Sequence, residues 1–182
     1  EKMRALDPLI EACRHMEAAD ARSPGFGDCL NDWIAPLYES RSAIDRRLVH
    51  AACLLHDVNW RAHPDYRAEL CFESVTRANV AGVNHPERVF LGTALLNRYK
   101  TGSAPDSTDR YAGLLPEAWD SEAIILGRAM RLGAMLSGSS VGVLENAPLT
   151  LADGRLTLTL TGPARAFAGE VVEKRLQSLA IR

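Results

Sequence analysis

The run Leu48-Val49-His50-Ala51-Ala52-Cys53-Leu54-Leu55 constrains the fold more than any other part of the chain. A helix of that composition is apolar on most of its circumference, so it is stable only where several neighbours cover it. The pattern predicts a central helix from Ser42 or Asp45 to Val58. Near its end stand His56 and Asp57, two polar groups that need partners if they are buried.

The rest of the chain supplies the cover. Helical spacing of apolar residues predicts a helix over Asp7–Ala21, with Asp7 as N-cap and Pro8 in the first turn. A loop follows, then a helix over Asp28–Tyr38 that turns Leu30, Trp33, Ile34 and Leu37 inward. Pro64 can open a helix over Asp65–Asn79, and Pro86–Tyr99 and Ser121–Leu136 read as two more. Gly138-Ser139-Ser140 interrupts or ends the last of these. Thr101–Asp109, rich in Ser, Pro, Gly and Asp, reads as an exposed loop.

The period changes at Pro148. Leu149-Thr150-Leu151 and Leu156-Thr157-Leu158-Thr159-Leu160-Thr161 alternate around Asp153-Gly154, a strong hairpin signal. Leu156, Leu158 and Leu160 share one face and the threonines the other. A last helix is expected over Pro163–Ala180, with Phe167, Val171, Val172, Arg175 and Leu179 near one side. The expectation is a mainly α bundle over residues 1–147. A small β-hairpin and terminal helix, residues 148–182, pack on it.

With 47% hydrophobic and 24% charged residues, this is an ordinary globular mixture and disorder is excluded for most of the chain. A net charge of −2 gives no bulk attraction to DNA. No apolar run reaches the roughly 18 residues that span a bilayer. The four cysteines, Cys13, Cys29, Cys53 and Cys71, form no CxxC, which argues against a zinc ribbon. Cys53 reads as a small buried hydrophobe. A cytoplasmic setting is expected, and the opening Glu-Lys-Met reads as a trimmed start.

Adjacent His56 and Asp57 resemble the core of the HD metal-phosphohydrolases, in which a bound cation activates water. One dyad cannot hold a divalent cation, and the resemblance calls for an earlier His and a later Asp. The upstream stretch that should carry the His offers Asp28, Cys29 and Asp32 instead. His50 lies about 120° from His56 around a helix. The later position falls in Arg131-Leu132-Gly133-Ala134, where Ala134 cannot ligate. If a metal site exists, its ligands are His56, Asp57 and His85. A basic set, Arg61, His63, Arg67, Arg77, Arg88, Arg98 and Lys100, could meet phosphate. Asp65, Glu69, Glu73 and Glu87 are interleaved with it, as on ordinary solvated helix faces. No Walker-type loop and no Ser/His/Asp signature can be read.

The stretch Leu48–Arg67, with His56-Asp57-Val58-Asn59-Trp60-Arg61-Ala62-His63-Pro64-Asp65-Tyr66, goes beyond a generic dyad. It is similar to the C-terminal domain of exopolyphosphatases of the Ppx/GppA family, most of all the alphaproteobacterial type. Gly82–Leu91, Arg131–Gly138 and Gly169–Leu176 agree in order and spacing. The resemblance implies an HD-like fold with a degraded metal site, no catalytic residue and no cofactor. It also implies a parent enzyme whose N-terminal actin-like domains use Mg²⁺ to release terminal phosphate from polyphosphate or guanosine pentaphosphate. This part would contribute polyanion binding and a homodimer interface. Arg61, His63 and Arg67 are the expected polyphosphate contacts. The alternatives are a stand-alone HD-type phosphohydrolase acting on a nucleotide and a non-enzymatic helical interaction module.

Overall fold

The computed structural model describes residues 6–39, 44–100 and 113–180. Its helices are α1 (Pro8–Asp20), α2 (Phe26–Ile34), α3 (Arg46–Leu54), α4 (Pro64–Arg77), α5 (His85–Tyr99), α6 (Glu117–Ser137) and α7 (Glu170–Gln177). The strands are β1 (Leu149–Ala152) and β2 (Arg155–Leu158). Among the described residues no helix is long and apolar enough to cross a membrane. The architecture is mainly helical with an appended hairpin and terminal helix. Thr101–Asp109 lies outside the described residues.

Local chemistry sets the helix starts. Asp7 accepts the backbone N–H of Leu9 at 2.8 Å with Pro8 in the first turn. Asn84 and Glu87 form a reciprocal capping box that opens α5 at His85. The helix expected from Asp28 begins at Phe26, because the buried Glu17 carboxylate accepts the Gly27 N–H at 2.7 Å and draws the chain into helix early. α6 likewise starts a turn before Ser121, and it ends at the left-handed Gly138.

The predicted centre is a centre. Leu48, Val49, Ala51, Ala52 and Cys53 have no exposed surface, and α1, α2 and α5 pack on α3. Burial pushes the thiols of Cys13, Cys53 and Cys71 up, so they are inert apolar groups. α5 lies between α4 and α6. Gly127 permits the closest of these approaches: a Cβ there would sit 2.4 Å from the Ala94 carbonyl oxygen and 2.6 Å from the Asn97 Cβ.

The hairpin closes as expected, with Leu149 opposite Leu158 and Leu151 opposite Leu156. Asp153 and Gly154 both take positive φ, 51° and 73°, the type I′ signature. Leu156, Leu158 and Leu160 pack half-buried against the core while Thr157, Thr159 and Thr161 face water. The Trp33 indole N–H donates to the Ala147 carbonyl at 2.6 Å. Leu149, Ala164, Val172 and Leu179 belong to the same core as α3.

Two expectations are corrected. The terminal segment is not one helix over Pro163–Ala180. Gly162–Phe167 is a 3₁₀ turn, and extended backbone at Ala168 and Gly169 separates it from α7. This break rotates Phe167 and Val171 to the surface, at 42% and 61% exposure, while Val172 and Leu179 stay buried. The central helix also stops at Leu54, not Val58, with consequences for the site.

Candidate functional site

From Leu55 to Arg61 the chain leaves α3 through a succession of tight turns. The N–H groups of His56, Val58, Trp60 and Ala62 donate to the carbonyls three residues earlier. His56 ends the helix itself: its Nδ1 lies 2.8 Å from the Cys53 carbonyl oxygen, competing for a group that an α-helix would use. Asn59 takes a positive φ of 56° and ties the turn to α4 through Ser74 Oγ at 2.8 Å. His56 and Asp57 therefore stand on a buried turn, not on the helix the sequence suggests.

Both side chains are fully buried. The Asp57 carboxylate is held by Arg22, which the sequence reading did not single out. Arg22 Nε donates to Oδ2 at 2.9 Å and Nη2 to Oδ1 at 2.6 Å. The Arg22 backbone N–H adds a third bond to Oδ2 at 3.2 Å. Arg98 Nη2 lies 3.9 Å from Oδ1. Burial alone would raise the Asp57 carboxyl; the Arg22 hydrogen bonds, with the neighbouring charges, outweigh it and hold it below the usual carboxylate range.

His56 packs edge-on against Phe26, with centroids 5.0 Å apart. Burial pushes it down to about 4, and the nearby Asp57 only partly opposes this. The ring is neutral near pH 7 and donates through Nδ1. Its Nε2 has no hydrogen-bond partner among the described residues and lies 3.7 Å from Asp57 Oδ2.

These donors do not fit a divalent cation. Both Asp57 oxygens already accept guanidinium bonds, so the positive charge beside the dyad is covalently part of the chain. His85 is the first residue of α5, whereas Tyr99, the last, donates its hydroxyl to the His56 carbonyl at 2.9 Å. About 21 Å of helix axis separates the two ends. The structure therefore does not bring His85 to the dyad. His50 points away, to Asp28 Oδ1 at 2.8 Å. Among the described residues no group of three His, Cys, Asp or Glu side chains is placed to hold a metal ion.

The turn also places the expected phosphate contacts. Arg61 is largely exposed, lies over the Trp60 ring at 4.6 Å and pairs with Asp20 at 2.7 Å. Arg22 approaches the same indole at 5.5 Å. His63 caps α4, its Nδ1 accepting the Asp65 N–H at 3.3 Å, and its ring is exposed. Arg67 donates to the Ala62 carbonyl through Nε and Nη2 and lies over Tyr99, as Arg98 does from nearer.

The other members of the basic set serve the scaffold. Arg77 pairs with Glu73 and Lys100 with Glu69. Arg88 donates to the Ala78 and Val80 carbonyls.

Residues 9–181 match the family model described as "Exopolyphosphatase, C-terminal". The chain belongs to the exopolyphosphatase C-terminal family. No curated protein matches it. In this domain the Asp57 turn is a buried structural unit, and Arg61 stands exposed beside it. Arg22 stands upstream of the dyad, in the stretch where the resemblance calls for a metal-binding His, and it supplies Asp57 with a fixed positive charge instead of a ligand for a metal.

Proposed function

We propose that this domain binds polyanion for an exopolyphosphatase that releases terminal phosphate from polyphosphate. The supporting observation is a charge surplus around the Asp57 turn. Arg22, Arg61, Arg67 and the buried Arg98 cluster on Trp60 and Tyr99, and among the described residues only Asp57 and Asp20 pair with them. The Arg67 guanidinium bonds a neutral carbonyl, so its charge is oriented without being cancelled. The Arg61–Asp20 pair is exposed, and phosphate can displace such a pair at little cost. Arg61, His63 and Arg67 would receive a linear polymer whose phosphates follow one another along the turn.

In this reading hydrolysis belongs to N-terminal actin-like domains of a longer cytoplasmic parent protein, with Mg²⁺, and the module also pairs with a second copy. The 182-residue chain should bind long-chain polyphosphate without releasing phosphate. Its affinity should fall steeply as salt rises, because contact releases counterions from the polymer. The R61Q/R67Q variant should bind several-fold more weakly with a shallower salt slope. Equal binding by the variant would remove these residues from the reading. No binding by the parent chain would favour a helical interaction module. Sedimentation of the chain at rising concentration tests the pairing.

A further inference from the structure

A second set of arginines stands between α6 and α7, and among the described residues no acid pairs with them. α6 contributes Arg128 and Arg131, and α7 contributes Lys174 and Arg175. Together with Asn97 of α5 and Ser178 they line a cavity of about 430 Å³. That volume lies in the usual range for small-ligand pockets.

The sequence explains the convergence. Arg128 and Arg131 are three apart on one helix face, and Val171, Lys174, Arg175 and Ser178 follow helical spacing on the other. Gly127 lets α6 close on α5 beside Asn97 and so fixes the floor.

The cations here lack the partners that ordinary surface arginines find. Arg131 Nη1 and Arg175 Nε are buried and have no hydrogen-bond partner among the described residues. Arg128 Nη1 donates to the Ser178 carbonyl at 2.9 Å, which aims its charge without neutralising it. Among the described residues Lys174 pairs with Glu170 alone, an exposed pair at 2.6 Å. Burial, then the charges of Arg175 and Arg98, make the charged form of Arg131 costly. Buried guanidinium nitrogens without acceptors are rare in folded proteins unless something else supplies the acceptor.

We infer that this cavity is a binding site for a short linear oligophosphate, separate from the Asp57 turn. Arg131 and Arg175 would grip phosphate oxygens from the cavity wall, Arg128 and Lys174 would stand at its mouth, and the Asn97 amide could meet a bridging oxygen. A single carboxylate would use only one or two of these donors, whereas adjacent phosphates present several acceptors to guanidinium forks. The choice of oligophosphate over other phosphoanions rests on the exopolyphosphatase reading; the call for a multivalent anion does not.

Titration calorimetry of the 182-residue chain with sodium triphosphate tests this. Wild type should bind, the affinity should fall with added salt, and R131Q/R175Q should lose about tenfold or more. R61Q/R67Q should still bind triphosphate through the cavity, and adding R131Q/R175Q to it should abolish that remaining binding, which separates this site from the Asp57 turn. Lys174 is too exposed to affect folding, so K174E should weaken binding several-fold even if the double variant fails to fold. Displacement of triphosphate by long-chain polyphosphate would assign the site to a segment of the polymer. Lack of displacement would assign it to free short oligophosphates. No triphosphate binding by wild type, or undiminished binding in both K174E and R131Q/R175Q, would overturn the proposal. Loss of binding in R61Q/R67Q alone would overturn the separateness of the site.

Discussion

Arginine does opposite things in two parts of this domain. At the Asp57 turn it completes the fold: the guanidinium of Arg22 makes two bonds to a carboxylate with no exposed surface. Between α6 and α7 it leaves the fold unfinished, with two guanidinium nitrogens buried and unbonded. The difference lies in what stands opposite. A buried acid facing an arginine fork is a closed unit, and removing the arginine strands the acid. Cations that face other cations across a cavity raise the energy of the empty state, and an entering anion relieves that repulsion. Paired charge marks structure, and unpaired charge marks a place where a ligand is expected.

The comparison breaks first at Asp57. Asp57→Ala leaves Arg98 buried and Arg22 without its carboxylate. The expected loss of stability is about 3–5 kcal/mol, read from urea unfolding midpoints. A loss below about 1 kcal/mol would mean that the turn is held by packing alone and that its charges are incidental.

His56 gives a second test of the same region, through pH. Its folded value of about 4 lies below the ordinary 6.5. Between those values the unfolded chain binds the proton more readily than the folded one. Stability is therefore intact above pH 6.5 and is lost as pH falls toward 4. The shift corresponds to about 3 kcal/mol. His56→Asn keeps a donor for the Cys53 carbonyl but does not titrate, so it should flatten the unfolding midpoint across that window. An unchanged pH profile in His56→Asn would show that other groups dominate acid unfolding.

Much of this fold is legible in the sequence because it follows from local rules. Asp7-Pro8, Asn84 with Glu87, and Asp153-Gly154 each specify a boundary through a few adjacent atoms. The central place of Leu48–Leu55 follows from composition alone. The boundaries that were misplaced depend on partners distant in sequence or on side-chain competition. Phe26 starts a helix because Glu17, from another element, captures the Gly27 N–H. α3 stops at Leu54 because the His56 ring takes a backbone acceptor. The site was harder for the same reason. Arg22 and Asp57 are 35 residues apart, and no periodicity links them. Arg131 and Arg175 each read as a solvated helical arginine until α6 and α7 are placed side by side.

Gly127 sharpens the comparison from the other side. Adding a methyl group in Gly127→Ala forces the Ala94 carbonyl and Asn97 away. Overpacking of this kind costs about 1–3 kcal/mol. Because Asn97 lines the cavity, triphosphate affinity should fall as well, while polyphosphate contact at Arg61 and Arg67 should not change. A stability loss without any change in triphosphate binding would show that the cavity floor takes no part in recognition.

The smallest expected effect separates the two regions by sign. Removing charge at Asp57 should destabilise the protein, whereas R131Q/R175Q removes two like charges that face each other without an acid between them. Glutamine retains polar atoms for the cavity wall but not the repulsion. The free domain should then be as stable as wild type, or more stable by up to about 0.5 kcal/mol, within the range of substitutions outside the core. The gain should shrink as salt rises, because screening already weakens the repulsion in wild type. Urea unfolding at low and at high ionic strength measures it. A clear loss of stability at low salt would mean that Arg131 and Arg175 hold α7 to α6 as packed side chains, and the cavity would then resemble the Asp57 turn after all. A gain that vanishes when triphosphate is added to wild type would place the missing acceptor in the ligand.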